Sequence, residues 1–265
     1  MIAISNKDID AGKEFDWGRT SAEYAKYRDV YPKEFYDKIV NLGLCIRGQN
    51  VLDLGTGTGV LPRNMYQYGA AFIGTDISEN QIIQAQLLTN ESGMKIDYFV
   101  SSAEDIDFPE KTFDVITACQ CFFYFDHSVL SSKITKMLKP NGKLAILYMA
   151  WLPKEDKIAA ASEELISKYN PVWSGAGETR HPILIPNVYD DRFELEESLL
   201  FDLKVPFTKE SWHGRIKTCR GIGASLSNEQ IEQFEGEHKA LLNEIAPDNF
   251  NVLHYVAISV LKVKK

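Results

Sequence analysis

The chain has 265 residues, 45% of them hydrophobic and 25% charged, ordinary usage for a globular protein that buries a full core. Its net charge of −8 is spread along the sequence with no basic run, which argues against a grip on phosphate backbones, so no nucleic-acid partner is expected. The polar N-terminus lacks the apolar core of a signal peptide, and the longest apolar run, LAILYMAWL at 144–152, is too short to span a bilayer, so a cytoplasmic protein with no membrane partner is expected.

Residues 1–45 are expected to form a largely helical cover, and residues 46–151 a core in which β-branched runs alternate with helical stretches. NVLDLG predicts a strand, VLPRNMYQYG a helix ended by Gly69, and AFIGTDIS a second strand whose Ser78 caps the helix ENQIIQAQLLTNESG. IDYFVSSA and TFDVITACQCFFYF predict the third and fourth strands. SVLSSKITKMLKPNG reads as a helix stopped by Pro140 and Gly142, and KLAILYMAW as the fifth strand. Strands alternating with crossover helices build a parallel, doubly wound sheet, whose ligand sits beyond the carboxyl ends of the strands.

After Trp151 the alternation stops. A helix over 153–170 and a Gly-, Pro- and Trp-bearing stretch make 152–190 a lid insertion. Residues 191–265 then read as strand (ELEESLLFDLKVPF), amphipathic helix (SNEQIEQFEGEHKALLNEIA) and strand (NVLHYVAISVLKV). The expectation is one α/β domain over 1–265: a seven-stranded, mainly parallel sheet with a C-terminal antiparallel pair. The N-terminal and lid segments would form a mobile cover over a ligand pocket.

The chemistry begins at VLDLGTGTGV, where Gly55, Gly57 and Gly59 follow the first strand. A dinucleotide fingerprint would want a further glycine at Val60, so a nicotinamide-dependent oxidoreductase is disfavoured. Asp76 ends the second strand, where a carboxylate can accept hydrogen bonds from both ribose hydroxyls. The pair reads as a nucleoside site; the plainer alternative is a tight turn followed by an acidic helix cap. The cysteines Cys45, Cys119, Cys121 and Cys219 form no C-x-x-C pair, and no metal site is expected. Cys119 and Cys121 read as small buried residues on one face of a strand.

VLDLGTGTG, IGTDIS, SSAEDIDFPEKTFDVI, CQCFFYFD and LKPNGKLAI together resemble the motifs of class I S-adenosylmethionine-dependent methyltransferases, over about residues 20–150. The small-molecule subgroup, with trans-aconitate and ubiquinone/menaquinone-type enzymes, is the most similar. The resemblance implies a Rossmann-like fold, S-adenosyl-L-methionine as cofactor and a small-molecule methyl acceptor. It also implies that Asp53, Gly55, Gly57 and the backbone of Cys119 and Gln120 hold the methionine tail. Asp76 with Ile77 would meet the ribose, and Ser102, Ala103 and Glu104 the adenine. Ser102 stands where the family has an aspartate, and Phe123 where related enzymes carry a histidine, so no catalytic residue is assigned.

YAKYRDVYP resembles the segment Y-x-x-Y-R-P-x-Y-P that precedes the core in the same subgroup. Tyr24, Tyr27 and Arg28 are candidates to close over the donor, with Arg28 on the methionine carboxylate; an amphipathic helix packed by its tyrosines is the alternative. Phe123, Tyr124, Trp173, Arg180, Trp212, Arg215 and Arg220 are candidates for an acceptor pocket suited to a small, partly apolar, anionic molecule. Surface charge is the plainer reading of each arginine, and a structural or solvated role that of His127, His181 and His213. Methyl transfer from a sulfonium is an in-line displacement governed by positioning. A monomer or homodimer is expected. A non-catalytic nucleoside-binding relative and a nucleic-acid or protein methyltransferase stand as alternatives.

Overall fold

A computed structural model describes residues 4–264; residues 1–3 and 265, the outermost ends of the expected N-terminal cover and C-terminal section, lie outside the described residues. In chain order the elements are α1 (Ser21–Tyr27), α2 (Lys33–Asn41), β1 (Asn50–Leu54), α3 (Val60–Met65), β2 (Ala71–Asp76), α4 (Glu79–Glu91), β3 (Asp97–Val100) and β4 (Phe113–Cys119). There follow α5 (His127–Met137), β5 (Leu138–Trp151), α6 (Lys157–Tyr169), β6 (Phe193–Thr208), α7 (Lys209–Lys217), α8 (Asn228–Ile245) and β7 (Asn249–Val263). Seven strands form one sheet in the order β3-β2-β1-β4-β5-β7-β6. Strands β1 to β5 pair in parallel, and the C-terminal pair is antiparallel. This is the expected Rossmann-like architecture.

Local chemistry accounts for most of the boundaries. Val51 to Leu54 are all buried, as a parallel strand covered on both faces requires. Gly69 ends the α3 region at φ 86°, a left-handed cap. Asp156 caps α6 by accepting from the N–H groups of Ile158 and Ala159, and Ser227 with Gln230 forms a capping box on α8.

Three local expectations need correction. Ser78 occupies the N-cap position of α4, but its side chain makes no capping bond; its own N–H donates to Asp76 Oδ1 at 2.9 Å. LKPNG is not the end of a helix. The helix stops at Met137, and Leu138 pairs with Phe113 as the start of β5. Pro140 biases the residue before it towards extended backbone, and the pairing moves from Phe113↔Leu138 to Val115↔Lys143, which leaves the extra residues as a bulge on β5. Finally, β4 ends at Cys119, and a 3-10 turn over Phe122–Tyr124 follows, so Cys119 and Cys121 share no strand face.

The chain divides into two compact units. The first takes residues up to 30, 150–180 and 202–255; the second takes 31–149, 181–201 and 256 onward. The expected N-terminal cover and the expected lid are each divided between the two.

The first unit is built around buried Trp212, Phe234, Ile166 and Tyr255. Inside it Trp212 Nε1 donates to Ser162 Oγ at 2.9 Å, and Ser162 donates to Ile158 O. Ser162 Oγ can then only accept from His238 Nε2, 3.0 Å away, so His238 Nδ1 must accept from His213 Nδ1 at 2.9 Å. His213 is thus a structural residue. The second unit has Phe35, Ile39, Leu52, Leu54, Ile116 and Leu144 in its core. It contains the carboxyl ends of β1, β2 and β4.

Candidate functional site

The backbone leaves β1 at Leu54 and turns through Gly55 at φ 58° and Gly57 at φ 56° before Gly59 opens α3. These left-handed conformations strain any residue with a Cβ. Close packing adds to that demand at Gly55, where a Cβ would come within 2.8 Å of both Cβ and Sγ of Cys121. The turn hangs from β2 by two bonds: Thr56 N–H donates to Thr75 O at 2.8 Å, and Gly57 N–H to Asp76 Oδ2 at 2.9 Å.

The Asp76 carboxylate is therefore oriented by two backbone donors, Gly57 on one oxygen and Ser78 on the other. Burial pushes its pKa up against those two bonds. Each oxygen keeps a lone pair, which is what a vicinal diol needs from a carboxylate. Ile77, half-buried, follows directly. Asp53 is 1% exposed and accepts from the Thr117 hydroxyl at 2.6 Å.

Burial pushes Asp53 up to about 7, against the hydroxyls of Thr117 and Thr56 and with the like charge of Asp76 adding to the rise. The folded chain then keeps a proton that the unfolded chain releases at about pH 4. Stability from this group is full below that value and is lost as pH rises towards 7. In Asp53→Asn that dependence should vanish. Between about pH 5 and about pH 8, urea unfolding of the wild type should lose about 2–3 kcal/mol relative to the variant. Parallel pH profiles would show Asp53 already ionised at the lower pH.

The segment expected at the adenine closes on itself. Ser102 Oγ donates to Asp105 Oδ2 at 2.8 Å and accepts from Asp105 N–H at 3.1 Å. Ala103 is buried, and Glu104 accepts from Asp126 N–H at 2.8 Å, fastening this segment to the N-cap of α5. His127, next in the chain, packs on Phe122 and bonds the Tyr189 hydroxyl at 3.1 Å, a structural role. Cys119 is the last residue of β4 and Gln120 follows it, with the Cys119 thiol directed at the Tyr31 hydroxyl 3.8 Å away. Burial raises Cys119 to about 12, with Asp53 adding to the rise.

Phe123, 46% exposed, stands edge-on to Tyr148 at 5.2 Å and next to Tyr124, and Tyr148 tilts towards His181. Tyr31, Thr117 and Tyr148 belong to this region and were not among the sequence candidates. Tyr31 had a signal, being the third tyrosine of YAKYRDVYP; the other two had none.

The remaining candidates lie in the first unit, each with partners of its own. Arg28 donates to Thr218 through Nε (3.2 Å) and a terminal nitrogen (2.9 Å), with its guanidinium 4.7 Å from the Tyr24 ring centroid. Arg180 is bidentate to both Asp202 and Glu155. Arg220 pairs with Asp10 at 2.7 Å, and Arg215 is buried over the Trp151 ring. Trp173 is buried, and Trp212 is 0% exposed, so the latter presents no surface to a ligand. Among the described residues no group of three or more His, Cys, Asp and Glu side chains is arranged to hold a metal. Nor is any described helix long and apolar enough to cross a membrane.

Residues 52–146 match the family described as Methyltransferase domain. The ubiquinone biosynthesis O-methyltransferase of Bradyrhizobium diazoefficiens is 31% identical over 145 residues, which is 54% of this chain and 56% of that protein. The enzyme of the same description from Pseudomonas fluorescens is 32% identical over 160 residues, 58% of this chain and 67% of that one. The chain thus spans little more than half of the first relative's length and two thirds of the second's. Among solved structures, the Haemonchus contortus phosphoethanolamine N-methyltransferase 2, in complex with phosphomonomethylethanolamine and S-adenosylhomocysteine, has the same fold. Its TM-score is 0.51 at 19% identity, covering 96% of this chain and 58% of that one. With the glycine turn, the carboxylate behind it and the seven-stranded sheet, these matches agree on one assignment: the chain belongs to the class I S-adenosylmethionine-dependent methyltransferases.

Proposed function

We propose that the second unit binds S-adenosyl-L-methionine and that the chain transfers its methyl group to a small-molecule acceptor. The observation that carries this reading is the Asp76 carboxylate, fixed by Gly57 and Ser78 beside a turn that has no room for a side chain at Gly55. Asp76 would take the ribose hydroxyls, the 102–104 segment the adenine, and Asp53, Gly55 and the post-β4 backbone the methionine end. The sulfonium donor supplies an activated methyl group with a good leaving group. What the chain contributes is orientation and exclusion of water.

The names of the curated relatives, ubiquinone biosynthesis O-methyltransferases, support a hydroxylated small molecule as the acceptor. Exposed Phe123 beside Tyr148 supports an acceptor with an apolar face. Calorimetric titration should show binding of S-adenosylmethionine and S-adenosylhomocysteine and none of NAD. A screen with radiolabelled donor over hydroxylated aromatic and aliphatic small molecules should then label at least one. Binding of NAD alone would refute the donor assignment, and label found only in nucleic acid or protein would refute the acceptor class.

A further inference from the structure

Strand β4 lies between β1 and β5, and the two residues that follow it reach in opposite directions. Gln120 adopts φ 68°, a left-handed conformation rarely taken by residues with side chains and common where surroundings impose it. Its two donors both go to β5: the backbone N–H to Leu147 O at 2.9 Å, and Nε2 to Met149 O at 2.6 Å. Cys121 turns to the other neighbour. Its Sγ donates to Leu54 O, the last carbonyl of β1, at 3.0 Å. Its Cβ and Sγ fill the space above Gly55, and the Phe125 ring closes on the same point at 3.6 Å.

The thiol can donate only while protonated. Burial, together with Asp53, Cys119 and Asp76, keeps Cys121 well above the usual thiol range. Protonation also protects it, since a thiolate next to a methylsulfonium would itself be a methyl acceptor. With Asp76 on the ribose at the β2 side of the turn and the adenine at the 102–104 segment that follows β3, as proposed above, the methionine end is the part of the donor that extends towards β4.

We propose that Gln120 and Cys121 form a brace that stitches the post-β4 loop to the strands on either side and so sets the Gly55 turn for the methionine end of the donor. Both are positioning residues, and the proposal rests on the donor reading above. Calorimetry with S-adenosylhomocysteine and with methylthioadenosine, which lacks the amino-acid end, tests it. Gln120→Ala should weaken S-adenosylhomocysteine about tenfold and Cys121→Ala about threefold, while Cys121→Ser stays within about twofold of wild type. Gln120→Gly relieves the backbone and removes the amide; it should behave like Gln120→Ala. Affinity for methylthioadenosine should be unchanged throughout. Equal losses for both ligands, undiminished binding by both alanine variants, or a Cys121→Ser as weak as Cys121→Ala would each overturn the brace. Failure of the wild type to bind either ligand would instead overturn the donor reading.

Discussion

Asp76→Ala should weaken S-adenosylhomocysteine binding by at least about a hundredfold. Two hydrogen bonds from ribose hydroxyls to a carboxylate are worth about 1.5–3 kcal/mol each, so their joint loss corresponds to about 10²–10⁴ in affinity. The truncation does more than remove two acceptors. Gly57 N–H and Ser78 N–H both donate to this carboxylate at 2.9 Å, so the glycine turn loses its tie to β2 as well. Asp76→Asn separates the two effects. Its single amide oxygen can still take one of these N–H groups, and its affinity should fall between those of wild type and the alanine variant. Calorimetry is the readout, with circular dichroism to establish that each variant is folded. A folded Asp76→Ala within about threefold of wild type would remove the ribose assignment.

The part of this site that was legible in the sequence is the part whose geometry is local. Three glycines after an apolar run and an aspartate at the end of the next strand fix one turn and its partner, and both stand where the spacing implied. The brace was illegible because its partners, Leu54, Leu147 and Met149, are carbonyls on strands brought alongside only by folding. LKPNG misled for a related reason. Proline and glycine end helices and also fit bulged strands, and the pairing of Leu138 with Phe113 decides between the two. SWHGRIKTCRG, residues 211–221, supplies three of the acceptor-pocket candidates, Trp212, Arg215 and Arg220, because a tryptophan and arginines are conspicuous in a sequence. It is largely α7, started by a Thr208–Ser211 capping box, with Trp212, His213, Arg215 and Ile216 all buried. The arginines show the general difficulty: sequence displays the charge but not the partner, and Arg28, Arg180 and Arg220 each find one in a distant segment of the same unit.

For Arg220 that partner determines what its removal does. A residue lining an acceptor pocket would, on truncation, raise the acceptor's Michaelis constant and leave thermal stability alone. Arg220→Ala should instead destabilise the protein by about 3–5 kcal/mol, because it strands a buried charge. Asp10 is 1% exposed and receives Arg220 Nε at 2.7 Å and a terminal nitrogen at 3.0 Å. Without the guanidinium its carboxylate keeps, among the described residues, Ser174, which donates from N–H at 2.7 Å and from Oγ at 2.9 Å. Asp10 and Ala11 also sit at φ 49° and 52°, left-handed conformations that persist only while their surroundings hold them. For a chain of this length the loss corresponds to a fall in Tm of about 6–20 °C. Arg180→Ala is the matched control. Its two carboxylate partners, Glu155 and Asp202, are 48% and 43% exposed, so solvent screens these ion pairs and their loss should move Tm little. Removing both members of the buried pair, as Asp10→Asn with Arg220→Met, should recover much of the stability, since the stranded charge is gone. Scanning calorimetry of the four proteins checks this; an Arg220→Ala no less stable than Arg180→Ala would mean that Asp10 does not depend on its arginine.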